Sequence, residues 1–248
     1  MTISALDAAR SLTDPIGALG GMWLLHPDTL GPCREAGYPN GYAYYMTGRG
    51  GVLGDVDADV VVSAFAFFAP SLVGKMWTAG TAVESARASA ARYRDACAAF
   101  GRSRLAGFDG AERLADLAGV VVNGVDSSGL ALFAGWRAEP LPVDAPARAY
   151  QLLHVLRELR GSQHIVGVVA SGLSPRDAIL AGPGGAAQAE KFGWTAPLTP
   201  VPDATQRRAK AEAITDELNA AVFEVLDGND RAELVSLVFG LAKHLGLA

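Results

Sequence analysis

Apolar side chains recur every three to four residues along most of this chain, and strict alternation with polar residues is rare. That period predicts helices rather than strands, with an all-α fold at least about 55% helical. The pattern predicts a helix over 4–12 closed by Pro15, and another over 15–25 with that proline in its first turn. Residues 28–47 suit two short helices split by Gly37, Pro39 and Gly41. Glycines 48, 50, 51 and 54 predict a loop, 56–68 a strongly apolar helix, and Pro70 the start of a turn running to Trp77. Longer helices are expected over 81–100 and over 109–124, where Asp109 is a candidate cap. The stretch 129–136 fits helix or strand.

EPLPVDAP at 139–146 holds three prolines in eight residues and is the best candidate linker. It separates an N-terminal helical half, 1–138, from a C-terminal half, 147–248. Beyond it, 146–160 reads as a helix with Leu152, Val155, Leu156 and Leu159 on one side. Gln151, His154 and Glu158 lie opposite, on what reads as a solvated face. Gly161 is expected to end that helix before an apolar one over 162–171, and Ser174-Pro175 to cap a short third. Residues 181–202 are poor in regular structure, and two terminal helices follow over 203–226 and 230–245. The last carries Leu234, Val238, Leu241 and Leu245 on one stripe, more apolar face than a terminal helix needs. This predicts a homodimer built on the terminal helices; packing of the stripe back onto the N-terminal half is the alternative.

Half of the 248 residues are apolar and 19% are charged, enough for a sizeable core. The net charge of −5 argues against a nucleic-acid partner, which calls for a basic stripe. Two cysteines, Cys33 and Cys97, fit reduced thiols in a reducing cytosol. The opening MTISALDAARSLTDPIG lacks a basic segment followed by an apolar one, so no secretory leader is expected. The apolar run from Val60 to Pro70 is too short to span a bilayer. A cytoplasmic location is the expectation.

Residues 48–77, GRGGVLGDVDADVVVSAFAFFAPSLVGKMW, carry an unusual combination. Gly48-Arg49 follows the tyrosines Tyr42 and Tyr45. Leu53-Gly54-Asp55-Val56, Val60-Val61, Phe65, Phe68, Pro70 and Trp77 come after it, and Leu25-His26 stands ahead. A second patch holds Leu156-Arg157, Arg160-Gly161 and His164, with Phe192-Gly193-Trp194 further on. In these features the chain resembles an actinobacterial family of SalK-like, helix-turn-helix (MarR-like) proteins, members of which occur in antibiotic gene clusters. The resemblance implies a winged-helix-derived scaffold of two pseudo-related halves, and a DNA-binding regulator as one function. The chain departs from that pattern after Trp194. TAPLTPVPD places three prolines in nine residues, which leaves the recognition helix and wing degenerate.

Arg49, between glycines and ahead of the most apolar segment, is the candidate anion anchor; an ion pair with Asp55 or Asp57 is its structural alternative. His164 and His26 are acid/base candidates, since imidazole titrates near neutrality. Trp23, Tyr45, Phe68 and Trp77 are candidate walls, with Arg160 a further ligand-binding charge. GDVDADV at 54–60 suggests a calcium loop, but Val60 and Ala66 stand where glycine and glutamate are required. Asp55 or Asp57 as a helix cap fits better. No metal site and no nucleotide cofactor are expected, because ligand spacing and phosphate-loop motifs are lacking. The sequence therefore points to a small-molecule-binding protein with an anionic or carbonyl-bearing ligand between the helical halves. A cofactor-independent acid/base enzyme of specialised metabolism (isomerase, lyase or cyclase) is the leading form. A non-catalytic sensor or carrier and a DNA-binding regulator are the alternatives. Arg49 and His164 are expected to line one cavity.

Overall fold

Among the described residues, seven helices begin at a side-chain cap. Ser4, His26, Asn40, Ser85, Asp144, Ser174 and Asp227 each accept a hydrogen bond from a backbone N–H two or three residues ahead. Such caps satisfy donors that an α-helix leaves orphaned at its start. A computed structural model describes residues 2–247, of which the helical share is about 71% of the chain and none is in a strand. The helices run α1 (Ala5–Gly21), α2 (Pro27–Glu35), α3 (Gly41–Gly50), α4 (Ala58–Ala64), α5 (Pro70–Thr81), α6 (Ala86–Arg104) and α7 (Ala111–Gly124). They continue as α8 (Ala131–Arg137), α9 (Ala145–Ala170), α10 (Pro175–Leu180), α11 (Gly185–Lys191), α12 (Ala204–Phe223) and α13 (Gly228–His244).

Helix α9 is the axis of the fold. It packs against α1, α6, α7, α8 and α12, and its residues join a core that runs from Ala9 to Ala242. Contact on so many sides changes its polar face. Gln151, His154 and Glu158, expected in solvent, are all buried. The helix also passes through Gly161 without a break. A helical glycine costs about 1 kcal/mol relative to alanine, less than the packing along a helix of 26 residues contributes. Likewise α1 continues through Pro15, whose missing N–H leaves the Ser11 carbonyl without its helical donor. Packing of α1 on α9, α12 and α13 offsets that loss.

The glycines at 48, 50 and 51 do not form a loop. They end α3 and lead into a 3-10 turn, Gly51–Leu53, and only Gly54 takes a positive φ, of 90°. Their purpose is close approach: a Cβ on Gly48 would lie 2.5 Å from the Tyr93 ring, and one on Gly51 would lie 2.1 Å from the Ala86 carbonyl oxygen. The apolar segment 56–68 is also shorter as a helix than its composition predicts, because α4 stops at Ala64 and the chain turns at Phe65–Phe68. The ambiguous stretch near 129–136 is helical, as α8.

The terminal stripe is covered within the chain. Leu234, Val238 and Leu241 are fully buried, Leu245 packs against the same core, and α13 lies on α1 and α7. This face is therefore not free to build the expected homodimer: a face tethered to its own core meets that core before a second copy. In 181–202 the helix is α11, seven residues with one lysine, so no basic recognition helix of ten residues occurs there. Replacing Leu241 by alanine should lower stability by ~2–5 kcal/mol, the range for truncating a fully buried leucine. Urea denaturation checks this, and an unchanged midpoint would show that α13 is not part of the folded core.

Candidate functional site

Arg49 sits in the last turn of α3, one turn after Tyr45, and points toward α9. Its Nε donates to Glu158 Oε1 at 2.9 Å and its Nη2 to Glu158 Oε2 at 2.7 Å, a bidentate pair. Its Nη1 donates to the Tyr45 hydroxyl at 3.0 Å, and the Phe65 ring lies 4.5 Å from the guanidinium carbon. The Arg49 carbonyl accepts from Trp136 Nε1 at 3.1 Å, tying α8 to the same residue. The partner is thus Glu158, and neither Asp55 nor Asp57. Asp55 instead accepts from the backbone N–H of Ala86 at the start of α6.

Glu158 is only 1% exposed and accepts a third hydrogen bond, from Arg157 Nη1 at 2.8 Å. Burial by itself raises a carboxyl pKa, but Arg49 and Arg157 outweigh it and hold Glu158 at about 2. Burial alone would likewise discharge Arg49; Glu158 keeps its pKa above the ordinary arginine value. Beside the pair, His154 Nδ1 lies 3.2 Å from the Gly20 carbonyl. A carbonyl only accepts, so Nδ1 carries the proton and Nε2 is a bare nitrogen, 3.8 Å from Glu158 Oε1 and without a hydrogen-bond partner. Burial pushes this histidine down to about 3, so it is neutral at pH 7. Its ring lies edge-on to Trp23 and Trp136.

Above the pair opens a cavity of about 700 Å³ between α1, α3, α9 and the segment 64–68. Of the candidate residues, Tyr45, Phe68, Arg160, His26 and Arg49 line it, together with Arg157, Glu158, Phe65 and Phe192. Trp23 and Trp77 do not. Trp23 is core packing beneath the site, and Trp77 is buried with its indole N–H on the Val56 carbonyl. His26 caps α2, its Nδ1 accepting from the backbone N–H of Asp28, so that nitrogen is not available as a base.

His164 lies elsewhere. It lines a smaller neighbouring cavity of about 280 Å³ with Ile179, Gln188 and Arg208. Its Nδ1 is 3.0 Å from Thr215 Oγ1, and its ring stacks on Phe67. The Thr215 hydroxyl donates to the Ala211 carbonyl, so it accepts from the histidine. Burial lowers the His164 pKa, opposed by Glu212. The expected shared cavity is therefore two cavities, with Phe67 and Phe192 in the wall of each. Residue spacing places Arg49 and His164 near glycines but carries no information on which side of Phe67 either falls. Glu158 and Arg157 were the residues that sequence reasoning passed over. The signal was present as a polar stripe on a helix flanked by apolar segments on both sides.

Two acid-range slopes should follow from the buried pair. For His154, a folded pKa of about 3 against an ordinary 6.5 means the unfolded chain takes up the proton first. Its stability contribution is complete above pH 6.5 and is lost as pH falls toward 3. For Glu158 the corresponding window runs from 4.5 down to about 2. Denaturant unfolding of His154→Asn across pH 7 to 4 should lose the upper slope, and a slope equal to that of the parent would contradict it. Glu158→Gln should cost ~3–5 kcal/mol by leaving Arg49 buried without its counter-charge. Adding Arg49→Met should recover part of that loss.

Among the described residues no helix is long and apolar enough to cross a membrane, and no cluster of three potential metal ligands occurs. No curated protein and no solved structure matches the chain. A sequence profile for a helix-turn-helix family matches residues 9–200, which include the α3–α5 segment, the whole cavity wall and the short α10–α11 pair. The chain belongs to that helix-turn-helix family.

Proposed function

We propose that this protein binds a small molecule in the cavity above the Arg49–Glu158 pair and does so without turning it over. The observation that carries this reading is a volume of about 700 Å³ with apolar and aromatic walls around a few charged groups. Ligand pockets have this composition and fall in this size range. Catalysis has less support. Arg49 and Glu158 bond each other, His26 Nδ1 caps a helix, and His164 opens on a different cavity. A general acid or base needs a free proton-transfer atom within reach of substrate.

A second reading, a DNA-binding regulator, is favoured by the family match over residues 9–200. Ligand binding and regulation are compatible on one scaffold, because Phe192 closes α11 and also walls the cavity. Against direct DNA contact stand the net charge of −5 and an α11 whose charged residues are one glutamate and one lysine.

Fluorescence titration with N-phenylnaphthylamine, an uncharged aromatic dye, should show saturable binding. Gly161→Phe should abolish it. Gly161 lies on the cavity wall in α9, where an added Cβ meets nothing within 4 Å, so the larger side chain enters the cavity and leaves the core alone. Binding that survives in this variant, with its circular dichroism intact, would disprove the site. A gel shift against the DNA upstream of the protein's own gene tests the second reading. A shift that weakens steeply with added salt would establish it.

A further inference from the structure

The charged groups on the cavity wall are not equally occupied. Arg49 directs three of its five N–H groups at Glu158 and Tyr45. Arg160 donates to Thr13 Oγ1 and to Glu212, a carboxylate that also receives Arg208. Arg157 differs: it makes one hydrogen bond, to a Glu158 oxygen that Arg49 already holds, and its side chain is 29% exposed. Two guanidiniums therefore share the single Glu158 charge, and the excess positive charge resides on the arginine with the most unoccupied donors. Gly21 makes room for it. A Cβ there would lie 2.9 Å from Arg157 Nε, so the guanidinium occupies space that any other residue would take.

Apart from Thr13, His26, Tyr45 and Ser162, the remainder of the wall is apolar. Ile16, Met22, Leu24, Phe65, Phe68 and Ile165 face a charge that has no protein counter-ion of its own. A small hydrated anion gains nothing from such a wall. A neutral apolar molecule leaves the Arg157 donors without an acceptor.

We infer that the cavity takes a hydrophobic organic acid, its apolar body against the Phe65–Phe68 wall and its anionic group held by Arg157. This rests on the ligand-binding reading above and narrows it, and it moves the anion anchor from Arg49, which Glu158 occupies, to Arg157. A guanidinium with unoccupied N–H groups donates two parallel hydrogen bonds to a carboxylate, which accepts them.

Anilinonaphthalene sulfonate and N-phenylnaphthylamine share a ring system and differ by one anionic group, so the ratio of their affinities measures recognition of the anion. The unmodified protein should prefer the sulfonate, and Gly161→Phe should lose both dyes. Arg157→Met should lower the preference ~10- to 100-fold, the value of hydrogen bonds to a charged partner. Gly21→Ala, which displaces the guanidinium with no change of charge, should act in the same direction, and Arg157→Lys should retain part of the preference. Should Arg157→Met melt early, Gly21→Ala and Arg157→Lys carry the test. A preference for the uncharged dye in the unmodified protein, or a ratio that none of the three variants alters, overturns the inference and leaves the cavity reading intact. Failure of both dyes to bind the unmodified protein overturns the cavity reading as well.

Discussion

A buried guanidinium and a buried carboxylate, 109 residues apart in the chain, hold the central helices of this fold in register. Each charge is expensive to remove from water, and their attraction repays that only in good geometry with the remaining hydrogen-bond positions filled. Here Tyr45 takes a third Arg49 donor and Arg157 adds a third bond to Glu158. A pair of this kind contributes little net stability. What it contributes is register, because α3 cannot slide or rotate against α9 without stranding a charge. Trp136 extends the constraint to α8 by binding the Arg49 carbonyl.

Close packing around α3 makes that geometry reachable. Gly48 lies against Tyr93, Gly51 against the Ala86 carbonyl, and Gly80 on α5 against Thr47. With no Cβ at these three points, α5 and α6 approach α3 from both sides and seal it, while the face bearing Tyr45 and Arg49 opens on the cavity. The cavity is thus a consequence of which sides of α3 are closed. The ion pair forms its floor, and the turn at Phe65–Phe68 forms its upper wall.

That turn also connects the cavity to the short helices of the second half. The Phe68 and Phe192 rings are 4.2 Å apart, and the Ala69 N–H donates to the Phe192 carbonyl at 2.8 Å. Phe192 ends α11, and Trp194 just beyond it donates to the Phe67 carbonyl. A ligand against Phe68 therefore rests on the same aromatic layer that anchors the end of α11. This is a direct physical contact between the cavity and the helical pair of the second half.

The amino-acid sequence by itself determined the helical class and most helix starts. The 3.6-residue period is a local property, legible without any partner, whereas the cap expected at Asp109 is Gly110, with no side-chain hydrogen bond. Tyr45, Arg49, Phe68 and Arg160 stood out because charged or aromatic residues beside glycines and apolar runs are unusual. Where the local reading failed, a neighbour had intervened. Pro15 and Gly161 weaken a helix in isolation, yet both lie inside helices held by contacts on several sides. The glycines near 50 look like a flexible loop until Tyr93 and Ala86 are seen pressing on them. The stripe on α13 suggested a second copy, but a distant part of the same chain covers it. Tertiary structure alone decided that the Gln151–His154–Glu158 face is interior, that Arg49 pairs with Glu158, and that Arg157 is left with unoccupied donors. Helical periodicity reports which residues share a face, whereas burial depends on what packs against that face, and in this chain the decisive neighbours lie a hundred or more residues away.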